Sequence, residues 1–480
     1  MEKPKVRTRD ELIFLLTEAA ELEQMLCLQY LFAAFSLKHR PEEGLTEAEV
    51  MKVTEWAQTL YLVARQEMEH MALANNLLTA VGGAPHFRRP NFPQPPKYVP
   101  FAMQLQPFSV KTLEHFICYE RPTWVDPDKA FCDPELVFDP DPNPLPEGIG
   151  THPIQYETIG HLYALIREAF EEPMMPENEL FIGPPAAQVG GETLHLSFKA
   201  MGISGVYDMV IDPVLNTKSA LEVIERIIEE GEGTPPPGEP EVAALIAKVY
   251  DMNPIERQEY LESHATSERV IAMVDQIVEE RELSHFKRFE RMRTELIEMQ
   301  QQNPDFVPAR DVVDNPMLYE HPDVWEFSHS PDQRVNFVTH PQTRRVMDVF
   351  NAAYETLILL LFRFFSHTDE TPEELEALNY AAFYPMMTMF IRPISEVITS
   401  MPAFEGQDDG PRAGPSFEQF SNVSLLPHKP AAWIFIHERM VALAEDCKKM
   451  SEEPGMPDRL EWLAANFKTT AIKFKQKMKI

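Results

Sequence analysis

The sequence predicts a mainly α-helical fold in which four long helices form a bundle. Apolar residues recur at alternating steps of three and four over long stretches, and proline and glycine gather between these stretches. A long loop-rich insertion is predicted between the second and third bundle helices, and additional helices at the C-terminus. The predicted division is residues 8–300 for the bundle including insertion 85–216, residues 301–341 for a proline-rich linker, and residues 342–480 for a C-terminal helical section packed on the bundle.

The first two bundle helices are predicted over residues 8–38 and 46–81. Each segment opens with a threonine followed three residues later by a glutamate, which is the pattern of an N-terminal capping box. Gly82 and Gly83 end the second segment. The link around Pro41 is short, so the two helices should be antiparallel neighbours.

The third bundle helix is predicted from Thr217 to Gly231 and the fourth, as one continuous helix, over residues 266–300. Two shorter helices are predicted inside the insertion, at residues 110–119 and 154–170. The C-terminal section is predicted to hold helices at 342–366, 371–400, 430–450 and 456–475.

Composition narrows the class of protein. The formal net charge is −33 over 480 residues, which argues against binding to nucleic acid or an anionic membrane surface. The longest apolar run, Leu357 to Phe365, is too short to span a bilayer, and the N-terminus lacks the apolar core of a signal peptide. The four cysteines form no C-x-x-C pair and suggest no disulfide framework. A cytoplasmic protein is therefore expected.

Polar residues interrupt three of the apolar stripes at mid-helix. Glu23 lies in the stripe of the first helix, and Glu67 and His70 occupy consecutive stripe positions in the second. Glu282 and His285 repeat this Glu-x-x-His arrangement in the predicted fourth helix. By contrast, Glu18 and Glu21 lie off the stripe of the first helix and are expected to face solvent.

Carboxylates at these positions need a compensating charge. An ionised carboxylate in an apolar core costs several kcal/mol unless it is paired, and no lysine or arginine shares these stripes at that level. Bundles that hold two iron or manganese ions use a Glu from each of two helices and Glu-x-x-His from each of the other two. We therefore predict two metal ions, iron with manganese as the alternative. The competing interpretation is a metal-free Glu/His network held by hydrogen bonds.

The third helix should supply one more glutamate. At about 100° per residue, Glu232 lies at the edge of the apolar face, Glu225 slightly further round, and Glu229 on the opposite side. Glu232 is the predicted ligand, although it follows Gly231. The predicted metal ligands are thus Glu23, Glu67, His70, Glu232, Glu282 and His285.

Two further residues are candidates near the site. Tyr30 lies two turns beyond Glu23 and is a candidate catalytic residue; a core tyrosine with a satisfied hydroxyl group is the alternative. Glu120 could orient a ligand histidine from outside the ligand set, or form an ion pair with Arg121.

Several segments resemble one known family. They are AAELEQMLCLQYLFAAFSLK, ARQEMEHMALANNLLTAVGG, FICYERPTW, YETIGHLYALI, IIEEGEGTP, ELSHFKRFE and AGPSFE. In order, from about residue 8 to 418, they resemble the ferritin-like domain of iminophenyl-pyruvate dimer synthases and chromopyrrolate synthases, which act in violacein- and rebeccamycin-type pathways. Two departures are visible: Glu230 stands where the family usually has Gln, and pathway members are about twice as long.

The resemblance implies a ferritin-like fold and oxidative chemistry with iron. The substrate that it implies is an amino-acid-derived small molecule of secondary metabolism. The function predicted on these grounds is a non-haem oxidoreductase that uses two metal ions and dioxygen or peroxide. The alternatives are a haem-dependent imine dimer synthase and a non-catalytic metal-binding or scaffold protein. The expected partners are a small-molecule substrate and the oxidant; a homo-oligomer is compatible with the sequence.

Overall fold

The fold is mainly α-helical, as the sequence predicts. This computed structural model describes residues 5–95, 101–132, 156–190, 211–233, 240–249, 252, 254–282, 284–324, 334–420, 423–426 and 428–479. The parts of the predicted insertion at 133–155 and 191–210 thus lie outside the described residues.

The α-helices are α1 Arg9–Ser36, α2 Glu47–Ala80, α3 Val110–Tyr119, α4 Ile159–Glu171, α5 Glu177–Leu180, α6 Thr217–Gly231, α7 Pro240–Val249, α8 Pro254–His264, α9 Glu268–Glu282, α10 His285–Gln302, α11 Pro341–Phe365, α12 Pro372–Ala381, α13 Arg392–Ile398, α14 Lys429–Ser451 and α15 Arg459–Met478. A π-helix, Ala382–Ile391, joins α12 to α13. Two short strands, β1 Pro316–Met317 and β2 Asn336–Phe337, pair in parallel.

The antiparallel pair α1 and α2 forms the centre of the fold. Both predicted capping boxes are present: the Thr8 side chain accepts from the Glu11 amide, and the Thr46 side chain accepts from the Glu49 amide. Gly44 adopts φ 88° in the link between them, a left-handed conformation that lets the chain reverse. The two helices then pack against each other along their length.

Helices from the predicted insertion complete the bundle. α3 packs against α10, and α4 packs against both α1 and α6. α6 also packs against α2 and α10. The segment between the second and third predicted bundle helices therefore supplies helices that enclose the α1–α2 pair.

The prediction of one continuous helix over 266–300 is wrong. α9 ends at Glu282, and α10 begins at His285 after the N-cap Ser284, whose side chain accepts a hydrogen bond from the Lys287 amide. A serine at this position satisfies a backbone donor that a continuous helix would satisfy internally. Glu282 and His285 consequently belong to different helices.

The apolar stripe of α9 packs elsewhere. Val274 and Val278 belong to a separate small core that α9 shares with α7 and α8, to which Val242 and Leu261 also contribute. The periodicity thus identified a buried helical face but not its partner.

The C-terminal helices share the main core. Apolar side chains from α11 to α15 belong to the same continuous cluster as those of α1 and α2, from Val6 near the N-terminus to Met478. The division at residues 301–341 into bundle, linker and C-terminal section stays a prediction. In the described part of the chain, no helix is both long and apolar enough to cross a membrane.

The cysteine prediction needs a correction. Cys118, at the end of α3, forms a disulfide with Cys132, while Cys27 and Cys447 are free and buried. The chain returns after α3 through a 3-10 helix, Pro127–Ala130, which brings the two Cα atoms to 5.1 Å. Spacing alone did not indicate this pairing, and the cysteine content no longer favours a reducing compartment. A cytoplasmic location stays a prediction.

Glu18 of α1 gives a pH-dependent stability prediction. It is half-buried rather than solvated, and its Oε2 has no hydrogen-bond partner among the described residues. Burial, followed by the charge of Glu21, raises its pKa from 4.5 to about 8. Because the folded-state pKa is raised, Glu18 stabilises the fold fully below about pH 4.5, and this contribution is lost as the pH rises through about 8.

Glu18→Gln should therefore raise the free energy of unfolding of the metal-free protein by on the order of 1–3 kcal/mol at pH 9, and by less at pH 5. Urea unfolding at both pH values measures the difference. Glu42→Gln, at an exposed position, serves as the control and should show the wild-type pH dependence. An effect of Glu18→Gln that is equal at both pH values would contradict the prediction.

Candidate metal centre

Five buried side chains bring two groups of three donor atoms together. Glu23, Glu67 and His70 form one group, and Glu67, Glu120 and His285 form the other; within each group the donor atoms lie within 4.8 Å of one another. All five residues are at most 2% exposed. We refer to these five residues as the candidate metal centre.

Glu67 belongs to both groups and turns one oxygen toward each. Its Oε2 lies 3.1 Å from His70 Nδ1, which is 3.7 Å from Glu23 Oε2. Its Oε1 lies 2.9 Å from His285 Nδ1, which is 3.5 Å from Glu120 Oε1. The carboxylate therefore stands between two sets of ligand types that bind iron or manganese.

Four helices place these side chains. Glu23 lies in the middle of α1, and Glu67 and His70 lie one turn apart on α2, as predicted. Glu120 caps the C-terminus of α3, and His285 is the first residue of α10. The structure thus joins residues from two central helices with residues at the ends of two others.

Unsatisfied polar atoms test whether this centre suits a metal. Among the described residues, neither ring nitrogen of His285 nor Oε1 of Glu67 has a partner in hydrogen-bond geometry, although all three atoms are buried. Leaving such atoms unpaired costs about 1–3 kcal/mol each. A metal ion bound between the carboxylates and imidazoles would give these atoms a partner. The residues of the candidate metal centre therefore suit a metal ion.

The pKa values show how the metal-free centre balances its charge. Burial alone would lower the pKa of His70, but the neighbouring carboxylates of Glu23, Glu230 and Glu67 raise it well above the usual value. Burial also lowers the pKa of His285, but the charge of Glu67 outweighs this effect and the pKa rises to about 9. Protonated imidazoles therefore supply the positive charge that a metal ion would otherwise bring.

Two tyrosines hold carboxylates of the centre. The Tyr163 hydroxyl of α4 donates to Oε1 of Glu23, and the Tyr30 hydroxyl of α1 donates to Oε1 of Glu120. The Tyr30 ring packs against Phe116, with 4.7 Å between ring centroids. Tyr30 thus has a satisfied hydroxyl group next to the centre; its catalytic role stays a prediction.

Glu232 lies outside both donor groups. Its carboxylate accepts a hydrogen bond of 2.7 Å from the Gly160 amide. Burial raises the pKa of Glu232 to about 8 against the effect of that hydrogen bond. A Cβ atom on Gly160 would lie 2.0 Å from the Glu232 carboxylate, so only glycine permits this approach. Glu232 thus belongs to neither three-donor group, although it lines the same small cavity as Glu23 and Glu67, and its role as a ligand stays a prediction.

Two further candidates from the sequence are Glu225, an alternative ligand on the third helix, and Glu282, the predicted ligand of the fourth helix. Glu225 is exposed. Glu282 is the last residue of α9, and its side chain lies outside the described residues. From α6 it is Glu230 that reaches the centre, with Oε2 3.1 Å from His70 Nε2. Burial raises the pKa of Glu230, but its hydrogen bond with His70 lowers the net value to about 2.

A small cavity adjoins the centre. Apolar side chains and the Glu232 carboxylate form much of its wall, and the space inside holds no more than about one water-sized molecule. The lining residues are Glu23, Leu26, Glu67, His70, Glu120, Ile159, Gly160, Tyr163, Ile227, Ile228, Gly231 and Glu232.

The sequence held signals for some residues that the prediction missed. Glu120 follows Leu113 and Phe116, both buried, at steps of three and four, so it continues the apolar face of α3. Tyr163 lies on the buried face of α4 next to Leu162. Glu120 stands outside the predicted ligand set, and Tyr163 is not among the predicted site residues.

Residues 16–244 match the Ferritin-like family. The fold of this segment is ferritin-like. It is 25% identical to a dichlorochromopyrrolate synthase of Lentzea aerocolonigenes over 97% of this chain and 41% of that protein. It is 23% identical to a 2-imino-3-(indol-3-yl)propanoate dimerase of Chromobacterium violaceum, over 85% of this chain and 34% of that protein. The family resemblance is thereby confirmed at low identity.

The chain spans less than half the length of these two relatives. Among solved structures, a ferritin-like protein from Caulobacter vibrioides is similar with 16% identity and a TM-score of 0.40, covering 78% of this chain and 96% of that one.

Proposed function

We propose that this ferritin-like chain is an oxidoreductase that binds two metal ions, iron or manganese, at the candidate metal centre. The observation that carries the proposal is the position of Glu67, whose two oxygens face two separate three-donor groups. Glu67 would therefore help to hold both ions, in keeping with the Glu and Glu-x-x-His ligands of dinuclear bundles. Among the described residues, neither ring nitrogen of His285 has a partner in hydrogen-bond geometry, which supports the same proposal.

The reaction proposed is oxidation or oxidative coupling of an amino-acid-derived small molecule. Support comes from the names of the relatives, a synthase and an imine dimerase. When bound, iron would supply the electrons that reduce dioxygen or peroxide. Tyr163 donates to Oε1 of Glu23 and leaves Oε2, the oxygen nearer His70, for a metal. Tyr30 donates to Oε1 of Glu120, the oxygen that also faces His285, and so orients that carboxylate. Leu26 and Ile227 in the cavity wall limit the access of water.

Metal content and oxygen uptake test the proposal together. Protein loaded with ferrous iron under anaerobic conditions should bind about two ions per chain and consume dioxygen when exposed to air. The double variant Glu67→Ala/His285→Ala should lose both properties while its circular dichroism spectrum stays helical. Glu225→Ala, at an exposed position of α6, is the matched control. Wild-type protein that binds no iron would overturn the proposal, and bound iron without oxygen uptake would favour a non-catalytic metal-binding protein.

A further inference from the structure

The two ring nitrogens of His70 face different carboxylates. Nδ1 lies 3.1 Å from Glu67 Oε2 and 3.7 Å from Glu23 Oε2, so it faces the interior of the candidate metal centre. Nε2 lies 3.1 Å from Glu230 Oε2. A metal ion held by Glu23 and Glu67 would therefore bind Nδ1, and Nε2 would remain directed at Glu230.

Glu230 is held in this position from α2. Gln66, one helical turn before His70, donates from Nε2 to the same Oε2 atom of Glu230 at 3.1 Å. The Glu230 side chain is 27% exposed, whereas those of Glu23 and Glu67 are at most 2% exposed. The carboxylate thus lies at the rim of the centre, and neither three-donor group includes it.

We infer that Glu230 is a positioning residue that accepts the Nε2–H of His70 and so keeps the Nδ1 lone pair free for the metal. In a neutral imidazole one nitrogen carries the proton, and the hydrogen bond it makes decides which nitrogen can bind metal. A charged acceptor also makes the ring a more basic ligand than a neutral acceptor would. The inference rests on the proposed metal centre and adds to it a residue that acts through His70.

A graded series of variants separates the two contributions of Glu230. Glu230→Gln keeps an oxygen acceptor of the same size but removes the charge, and Glu230→Ala removes the acceptor. Glu225→Gln, an exposed position of the same helix, is the control. Cobalt(II) is the probe, because its visible absorption reports the ligand environment and its affinity can be measured by competition with a chelator.

The expected order of cobalt affinity is wild type, then Glu230→Gln, then Glu230→Ala, with a total loss of about 10- to 100-fold. All variants should still bind two ions per chain when saturated, and Glu225→Gln should match the wild type. The thermal midpoint of the metal-free Glu230→Gln variant should remain within a few degrees of the wild type, which a purely structural role would not give.

Three results would overturn the inference. Equal affinity in wild type and both Glu230 variants would show that His70 does not depend on this carboxylate. Saturation of the variants at one ion, with a changed cobalt spectrum, would make Glu230 a direct ligand. Wild-type protein that binds no cobalt and no iron would remove the proposed function as well, which distinguishes that failure from the first two.

Discussion

Replacing Glu67 with alanine is expected to reduce the iron content of the purified protein from about two ions per chain to nearly none. Glu67 is shared by both donor groups, with Oε2 3.1 Å from His70 Nδ1 and Oε1 2.9 Å from His285 Nδ1. Its loss therefore leaves each group with two donors and removes the negative charge between the ions. Elemental analysis of iron-loaded, desalted protein measures the effect.

Glu23 and Glu120 each belong to only one donor group, so variants at these positions are the appropriate comparison for Glu67→Ala. Glu120→Ala and Glu23→Ala should each weaken one ion and retain about one per chain. Glu225→Ala should retain the wild-type content. If Glu67→Ala instead kept one ion while Glu120→Ala lost both, the shared position of Glu67 would be the wrong description of the centre.

One three-residue group of the centre, formed by Glu23, Glu67 and His70, could be predicted because its positions depend on local periodicity. Glu23, Glu67 and His70 interrupt apolar stripes of long, well-capped helices, and these two helices pack on each other along their length. A polar residue in such a stripe must lie near the helix interface. The structure places donor atoms of all three within 4.8 Å of one another, and their role as metal ligands stays a prediction.

The positions of His285 and Glu120 in the other group depend on tertiary contacts, which the apolar periodicity of the sequence does not reveal. His285 was expected to follow Glu282 on one helix, but the N-cap Ser284 starts a new helix there, and α9 packs into a separate core. Periodicity cannot detect such a break, since the phase of the stripe continues through it. Glu120 reaches the centre because α3 packs against α10, a contact between segments far apart in the chain.

The buried face of the third helix differs in phase from the apolar stripe on which the choice of Glu232 rests. Val223 is buried in α6, whereas Leu221 and Ile228 are only partly buried. The buried face is therefore rotated toward Glu230 and away from Glu232. A stripe that includes Val223 lies closer to Glu230, the α6 carboxylate that contacts His70.

Replacing Glu418 with alanine is expected to cause the largest loss of stability, about 3–5 kcal/mol in the free energy of unfolding. Its carboxylate is 1% exposed and accepts hydrogen bonds from five donor groups. The donors are the Leu318 and Tyr319 amides, His321 Nε2, Ser416 Oγ and Asn351 Nδ2. Removing the carboxylate deprives the Leu318 and Tyr319 amides and His321 Nε2 of this acceptor, whereas the side-chain donors of Ser416 and Asn351 keep only the hydrogen bonds between them. Urea unfolding monitored by circular dichroism measures the loss.

The same experiment separates a structural carboxylate from a ligand. Glu418 lies in the AGPSFE segment that contributed to the family resemblance, yet none of its described contacts involves the candidate metal centre. Glu418→Gln should lose about half as much stability, because one amide NH₂ would then face donors. Both variants should bind the wild-type amount of iron while folded, and Glu405→Ala, at an exposed position, should leave both properties unchanged. Loss of iron from a folded Glu418 variant would instead link this network to the metal.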